Sequence, residues 1–331
     1  MDYHLLSNKL KESIVLATTL SELLLNNQKN LGTSPSEIDR LRVTLYRRTI
    51  LISEAISQLL PVSETEYFSL ASIGSLTRVL VESYRPFYYL TIENIKDEER
   101  DFRYLLFEVY LLIERRYMIE AIRNGNNYPD LQTDLVESKK KIRNHSYYKF
   151  LSTTNSKHIY GPLVQSIEDT EKEGSKKNIE FSNNFMYILT TKWKGCFKND
   201  KTILLERLAT YEINEPFSDE DKKMMENRFD NFFNKLMSNY VHSGAFAISM
   251  EHKSNFQINH EEEEEEEVEF YLNLMISCCI FYLITATHDL LKLCQLSQNN
   301  DLIQECEKAE EGGLVFLSIL AGRCTSVETN P

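Results

Sequence analysis

The chain has 331 residues, of which 42% are hydrophobic and 26% charged, and a net charge of −13. These proportions exclude a disordered chain and suit one large domain or two ordinary ones. The charge does not exclude a nucleic-acid partner, because residues 261–267 and Glu269 carry eight of the negatives and leave −5 for the remainder.

Only 10 Gly and 7 Pro punctuate the chain, about half the usual number of each, so long helices are expected. The first is predicted over 10–25, with Ile14, Leu20, Leu23 and Leu24 among its apolar residues. A second begins in "SPSEIDRL", where Ser34 suits the cap, Pro35 the first helical position and Glu37 the return bond of a capping box. It ends before Pro61. A third covers "TEYFSLASIGSLTRVLVESYRPFYYLTIEN", broken or kinked at Pro86, whose ring lacks the N–H and clashes with the preceding turn. A fourth spans 98–123 and stops at the turn signal "RNGNNYPD"; a fifth spans 131–151.

Residues 152–178 are polar and turn-rich and read as a loop. They suggest two lobes, 1–151 and 179–331, within a single helical domain over 1–331. Beyond the loop, a long helix is predicted from Asp219, capped by Ser218, to His242. The acidic run at 259–267 reads as a disordered loop between helices. The stretch 270–287, "FYLNLMISCCIFYLITAT", has no charge over 18 residues. That is about 27 Å of helix, the lower edge of a membrane span. Asn273, Ser277, Thr285 and Thr287, with acid before it and little base after it, favour a central buried core helix instead. Alternating strand patterns are absent. The fold class expected is all-α, a multi-helix bundle around this apolar helix.

The six cysteines form no C-x-x-C pair, and no His stands at zinc-ligand spacing. Neither a metal nor a cofactor is expected. The opening "MDYHLLSNKLKESIV" is polar and mixed in charge, unlike a secretion signal. A cytoplasmic protein with reduced thiols is the expectation, and a membrane-embedded one the minority alternative.

Two polar patches are the candidate site. On the third helix the apolar stripe is read as Leu76, Val79, Leu80, Ser83 and Phe87, which sets Arg78 and Glu82 together on the other side, near Ser75 and Arg85. On the helix from Asp219, the stripe Phe229, Phe232, Phe233, Leu236 and Tyr240 leaves Ser238 and His242 far round from it at 100° per residue. The plain alternatives are an i, i+4 ion pair and a solvated histidine at a helix end. "Leu76-x-Arg78-x-x-x-Glu82" followed by aromatics, and then "Ser238-x-Tyr240-x-His242-Ser-Gly", resemble a family of bacterial helical proteins of unknown function. Its members carry a Leu-x-Arg-x-x-x-Glu helix and a later Ser-x-x-x-His-Gly helix end. The likeness spans residues 40–295 but rests on half a dozen positions, and Ser243 stands where the family often has glycine. It implies that Arg78, Glu82, Ser238 and His242 converge between helices.

In such a site Glu82 would orient the imidazole of His242, Arg78 would hold a phosphate through its planar fork, and His242 would move a proton. That chemistry suits RNA cleavage. The helical HEPN ribonucleases of bacterial toxin and defence systems carry an Arg, then four to six residues, then a His on one helix. None of the seven histidines here has that spacing, so this likeness is one of fold class.

Two stretches bear on partners. "KKKIRNHSYYKF" sets Lys139, Lys140, Lys141, Arg143 and Lys149 beside Tyr147 and Tyr148. "TKWKGCFKNDK" sets Lys192, Lys194, Lys198 and Lys201 around Trp193 and Phe197. Basic and aromatic side chains interleaved suit phosphate contact and base stacking. The function expected is a toxin- or defence-type protein that binds RNA or single-stranded nucleic acid, in its sharper form an RNA-cleaving effector. The alternative is a non-catalytic adaptor for a protein partner whose polar cluster is structural.

Overall fold

A computed structural model describes residues 3–30, 36–61, 68–123, 129–153, 203–204, 217–232, 235, 262–294 and 300–322. Among them every regular element is helical and none is a strand, so the fold is all-α. The chain divides into two compact units, one of residues 1–88 and 199–331, the other of residues 89–198.

The first unit contains α1 (Tyr3–Asn30), α2 (Glu37–Leu59), α3 (Leu70–Phe87), α7 (Asp219–Asp230), α8 (Glu262–Leu293) and α9 (Asn300–Ala321). Helix α2 starts two residues later than expected. Ser36 caps it by accepting from the Asp39 N–H at 3.1 Å, and Glu37 is its first helical residue. Ser34 lies outside the described residues, and Ser36 with Asp39 has the same capping-box spacing. At the other end the helix stops at Leu59, two residues before Pro61. Helix α3 keeps Pro86 in its last turn and then widens into a π turn, Tyr88–Ile92. The Tyr88 N–H reaches both Arg85 O and Tyr84 O. Pro86 has no N–H to give to the preceding turn, so the helix gives way where the sequence predicts.

Helix α8 is the buried apolar helix, packed against α1, α2, α3 and α9. Ile280, Phe281, Leu283 and Ile284 are wholly enclosed; each such side chain stabilises the fold by about 1.5–3 kcal/mol relative to exposure. Its threonine hydroxyls do not oppose burial, since Thr285 and Thr287 donate to the carbonyls of Phe281 and Leu283 at 2.6 and 2.8 Å. By length and composition, Glu267–Leu293 could cross a membrane, but 89% of its apolar window is buried inside the protein. Helix α9 comes close because of Gly313, where a β-carbon would lie 3.2 Å from Phe281 Cα. The "GLVFLSILAG" stretch thus serves packing, with Phe316 and Leu317 fully enclosed.

The acidic run is not a loop from residue 262 onward. Residues 262–267 form the first turns of α8. Glutamate is a good helix former, and negative charge at a helix N-terminus is favoured by the peptide dipoles.

Helix α7 starts as predicted. Ser218 accepts from the Asp221 N–H at 3.1 Å, and the Asp221 carboxylate takes the Ser218 N–H at 2.8 Å, a complete capping box. The α-helix ends at Asp230, and the winding widens to π at Asn231 and Phe232. A projection at 100° per residue from Phe229 therefore stops at Asp230.

The second unit contains most of the π turn, α4 (Asp97–Arg123), α5 (Pro129–Asn144) and α6 (Ser146–Thr153), which pack on one another. The single helix expected over 131–151 is two helices parted at His145. The His145 N–H still reaches Lys141 O at 3.1 Å, closing α5, while its Nδ1 accepts from the Tyr147 N–H at 3.2 Å and opens α6. An imidazole thus takes a cap position usually held by Ser, Thr, Asp or Asn. Of the loop expected at 152–178, residues 154–178 lie outside the described residues.

Candidate functional site

Arg78 and Glu82 face each other across one turn of α3, Arg78 Nε donating to Glu82 Oε1 at 2.9 Å. Their side chains are 22% and 47% exposed. The buried face of α3 differs from the one read in the sequence. Leu80, Ser83 and Phe87 of that stripe are buried, joined by Ile73, Thr77, Val81 and Tyr84, whereas Leu76 and Val79 are only half-buried. Thr77 and Tyr84 enter the core because their hydroxyls are satisfied there, Thr77 by Ile73 O at 2.9 Å and Tyr84 by Asp289 Oδ2 at 3.0 Å. Ser238 and His242 lie outside the described residues. What the structure brings together is therefore Arg78 with Glu82. In that arrangement the guanidinium answers a carboxylate of its own helix, with part of Glu82 turned to water.

Among the basic residues, Lys140 and Lys141 are exposed on the last turns of α5, Arg143 is half-buried, and Lys139 is described only in its backbone. Tyr147 is not on the surface. It is 6% exposed, packed on Phe102 at 5.5 Å between ring centres, and its hydroxyl bonds to Glu99. Burial, and then Glu99 beside it, push its phenol well above the usual range. Tyr148 is buried too. The hydrophobic ring face that would meet a base is turned inward at both positions, which alternation of basic and aromatic letters cannot reveal. Phe150, two residues on, is 52% exposed. Lys192, Trp193, Lys194 and Lys198 lie outside the described residues.

The second unit also buries charges outside the residues singled out in the sequence, Glu93 and Arg103. Arg103, 4% exposed, donates through Nη2 to Glu99 Oε1 at 2.7 Å and through Nη1 to Tyr89 O at 2.9 Å and to the Glu93 carboxylate. Its guanidinium carbon also sits 3.9 Å over the Tyr89 ring. Arg100 donates to Glu93 O at 2.8 Å. Together the two arginines hold the exit of the π turn on α4. The available signal was Glu99-x-x-x-Arg103, a pair in the favourable acid-before-base order, beside the apolar positions Phe102, Leu106 and Val109.

In the first unit, His288 Nδ1 lies 2.7 Å from Glu310 Oε1, joining α8 to α9. Tyr46, wholly buried, sets its hydroxyl 2.8 Å from Thr287 Oγ1 and 3.2 Å from Ala17 O. Cys278, Cys279 and Cys306 are buried free thiols, and Cys294 is half-buried. Burial pushes Cys279 and Cys306 up to about 12 and raises Cys278 and Cys294 as well. Thiols so protonated are poor nucleophiles and behave as small apolar side chains. Among the described residues no group of three or more His, Cys, Asp or Glu side chains is placed to hold a metal ion.

Among the described residues, two grooves bear on the candidate site. One, of 660 Å³, runs between α1 and α9 past Lys9, Lys11, Val15, Glu305 and Lys308. The other, of 370 Å³, lies between α4 and α5 and is lined by Glu108, Leu111, Arg115, Asp134, Glu137 and Lys141 among others. Both mix the two signs of charge, and neither is lined by Arg78 or Glu82. No family model, no curated protein and no solved structure matches the chain. The likeness to the helical family of unknown function thus stands on its few sequence positions.

Proposed function

We propose that this chain is a nucleic-acid-binding helical protein that acts by binding rather than by cleavage. The observation that supports it is the exposure of Lys140 and Lys141 at the end of α5 and of Lys149 at the start of α6. From Lys141 to Lys149 the rise along the helices is about 12 Å, so these exposed cations lie near one another. A phosphate backbone binds such neighbouring cations through released counterions, with no need for a catalytic group. Arg78 and Glu82 favour the same reading: each has its opposite charge at 2.9 Å on one helix. A toxin- or defence-type role, with RNA as the substrate of His242, is the catalytic alternative.

The test uses end-labelled RNA with wild type, a Lys140→Ala/Lys141→Ala variant and His242→Ala. Affinity should fall as salt rises, and the slope against log salt should shrink by about one for each phosphate-contacting lysine removed. The RNA should stay intact. Cutting by wild type that His242→Ala abolishes would replace the binding reading with the catalytic one. Absence of any salt-sensitive binding would leave the protein-binding adaptor.

A further inference from the structure

The basic end of the second unit carries an aromatic ring that the order of the letters does not single out. Phe150 is 52% exposed, one residue after the exposed Lys149. Its ring is not a loose surface side chain. It rests on Tyr147 at 5.9 Å between centres and 36° between planes, and Tyr147 rests in turn on Phe102 at 5.5 Å. Phe102 and Tyr147 are buried, so two core rings stand behind the half-exposed ring of Phe150. A ring held from behind loses little freedom when something stacks on its outer side.

Resting on the nucleic-acid reading above, we propose that Phe150 is a base-stacking platform and that the partner is single-stranded nucleic acid. The lysines fix the polymer through its phosphates. The ring takes the π-face of an unpaired base, which a duplex keeps covered by its neighbouring pairs. Glu137, exposed one turn before Lys140 and Lys141, sets an acid beside these cations on α5. On the other side Glu98 is held by the Ser146 hydroxyl. The position is therefore suited to a short contact rather than to a long track.

Fluorescence anisotropy in low salt tests this with three labelled probes: oligouridylate, an abasic strand of the same length and charge, and a duplex. The proteins are wild type, Phe150→Ala, Phe150→Trp and Lys140→Ala/Lys141→Ala, each checked by circular dichroism for native helicity. Phe150→Ala should weaken oligouridylate binding about 5- to 100-fold while leaving the abasic and duplex probes unchanged. Phe150→Trp should restore binding, and its added indole emission, above that of Trp193, should be quenched by oligouridylate but not by the abasic strand. If Phe150→Ala binds every probe as wild type does while the lysine variant weakens all of them, the stacking role is overturned and the binding function stands. If wild type binds none of the probes, both fall.

Discussion

Tyr84 and Asp289, 205 residues apart in the chain, meet in the core of the first unit, where the phenol donates to the carboxylate at 3.0 Å. Asp289 is 8% exposed and Tyr84 1%, so this bond ties α3 to α8 in a place water scarcely reaches. A buried carboxylate deprived of a donor is costly, more so than a neutral group. Tyr84→Phe should lower unfolding stability by about 1–3 kcal/mol, measured by urea titration at neutral pH. In an Asp289→Asn background the same substitution should cost visibly less. Equal costs in the two backgrounds would show that the carboxylate charge does not matter to the bond.

Arg103 should matter more to stability than any surface ion pair. Removing it leaves Glu93 and Glu99, both shielded from solvent, facing each other. Arg103→Met should destabilise the second unit by about 3–5 kcal/mol, read from denaturation followed by circular dichroism. Arg103→Lys should recover only part of this, because an ammonium cannot reproduce the planar fork that spans Glu93, Glu99 and the Tyr89 carbonyl. By contrast a double-mutant cycle of Arg78→Ala with Glu82→Ala should give a coupling of at most about 0.5 kcal/mol for their i, i+4 pair. A larger coupling would show that this pair contributes more than an ordinary surface one.

Gly313 is required by close approach rather than by backbone conformation. A glycine inside a helix normally gives up about 1 kcal/mol to alanine. At Gly313 that gain should vanish, because the new methyl group meets Phe281 Cα at 3.2 Å. Gly313→Val should destabilise by about 1–3 kcal/mol through overpacking. A valine variant with a raised melting temperature would overturn this account of how α8 and α9 pack.

The buried thiols set an alkaline limit. For Cys279 and Cys306 the folded pKa, about 12, lies above the unfolded value near 9.0. The folded state therefore keeps its protons longer than the unfolded chain does. Their contribution to stability is full below about pH 9 and is lost as pH climbs from there towards 12, at up to about 1.4 kcal/mol per pH unit for each thiol. Urea midpoints measured across this window should fall steadily. The Cys279→Ala/Cys306→Ala variant should show a shallower fall, and an identical slope would locate the alkaline sensitivity elsewhere.

Much of the helical layout was legible because its signals are local. Pro61, Pro86, Ser218 and the charge-free stretch 270–287 each act over a few residues, and each element ends, bends, begins or is buried accordingly. Some local signals come in competing copies: Ser34 and Ser36 both have an acid three residues on, and the helix start at Glu37 decides between them. His145 escaped notice because an imidazole seldom caps a helix. Part of the core face of α3 is hidden from a hydropathy stripe for a different reason. A hydropathy stripe discounts Thr77 and Tyr84, yet both are buried once Ile73 O and Asp289 accept from them. The candidate site was legible only as far as Arg78 and Glu82 sharing one face of a helix. Which rings point outward could not be read at all, since Tyr147, Tyr148 and Phe150 look alike in the sequence and differ only through what packs on them.

The makeup of the first unit has a consequence for synthesis. Its central helix, Glu262–Leu293, is the partner of α1, α2 and α3, which the ribosome finishes at Phe87. On the order of 200 further residues must be translated before α8 is available, which at common elongation rates takes about 10 to 40 s. Through that interval the sides of three helices destined to cover α8 have no α8 to cover. The second unit, drawn from one continuous stretch, emerges within the same interval and meets no such wait. A nascent chain of this design is at its most chaperone-dependent midway through its own translation.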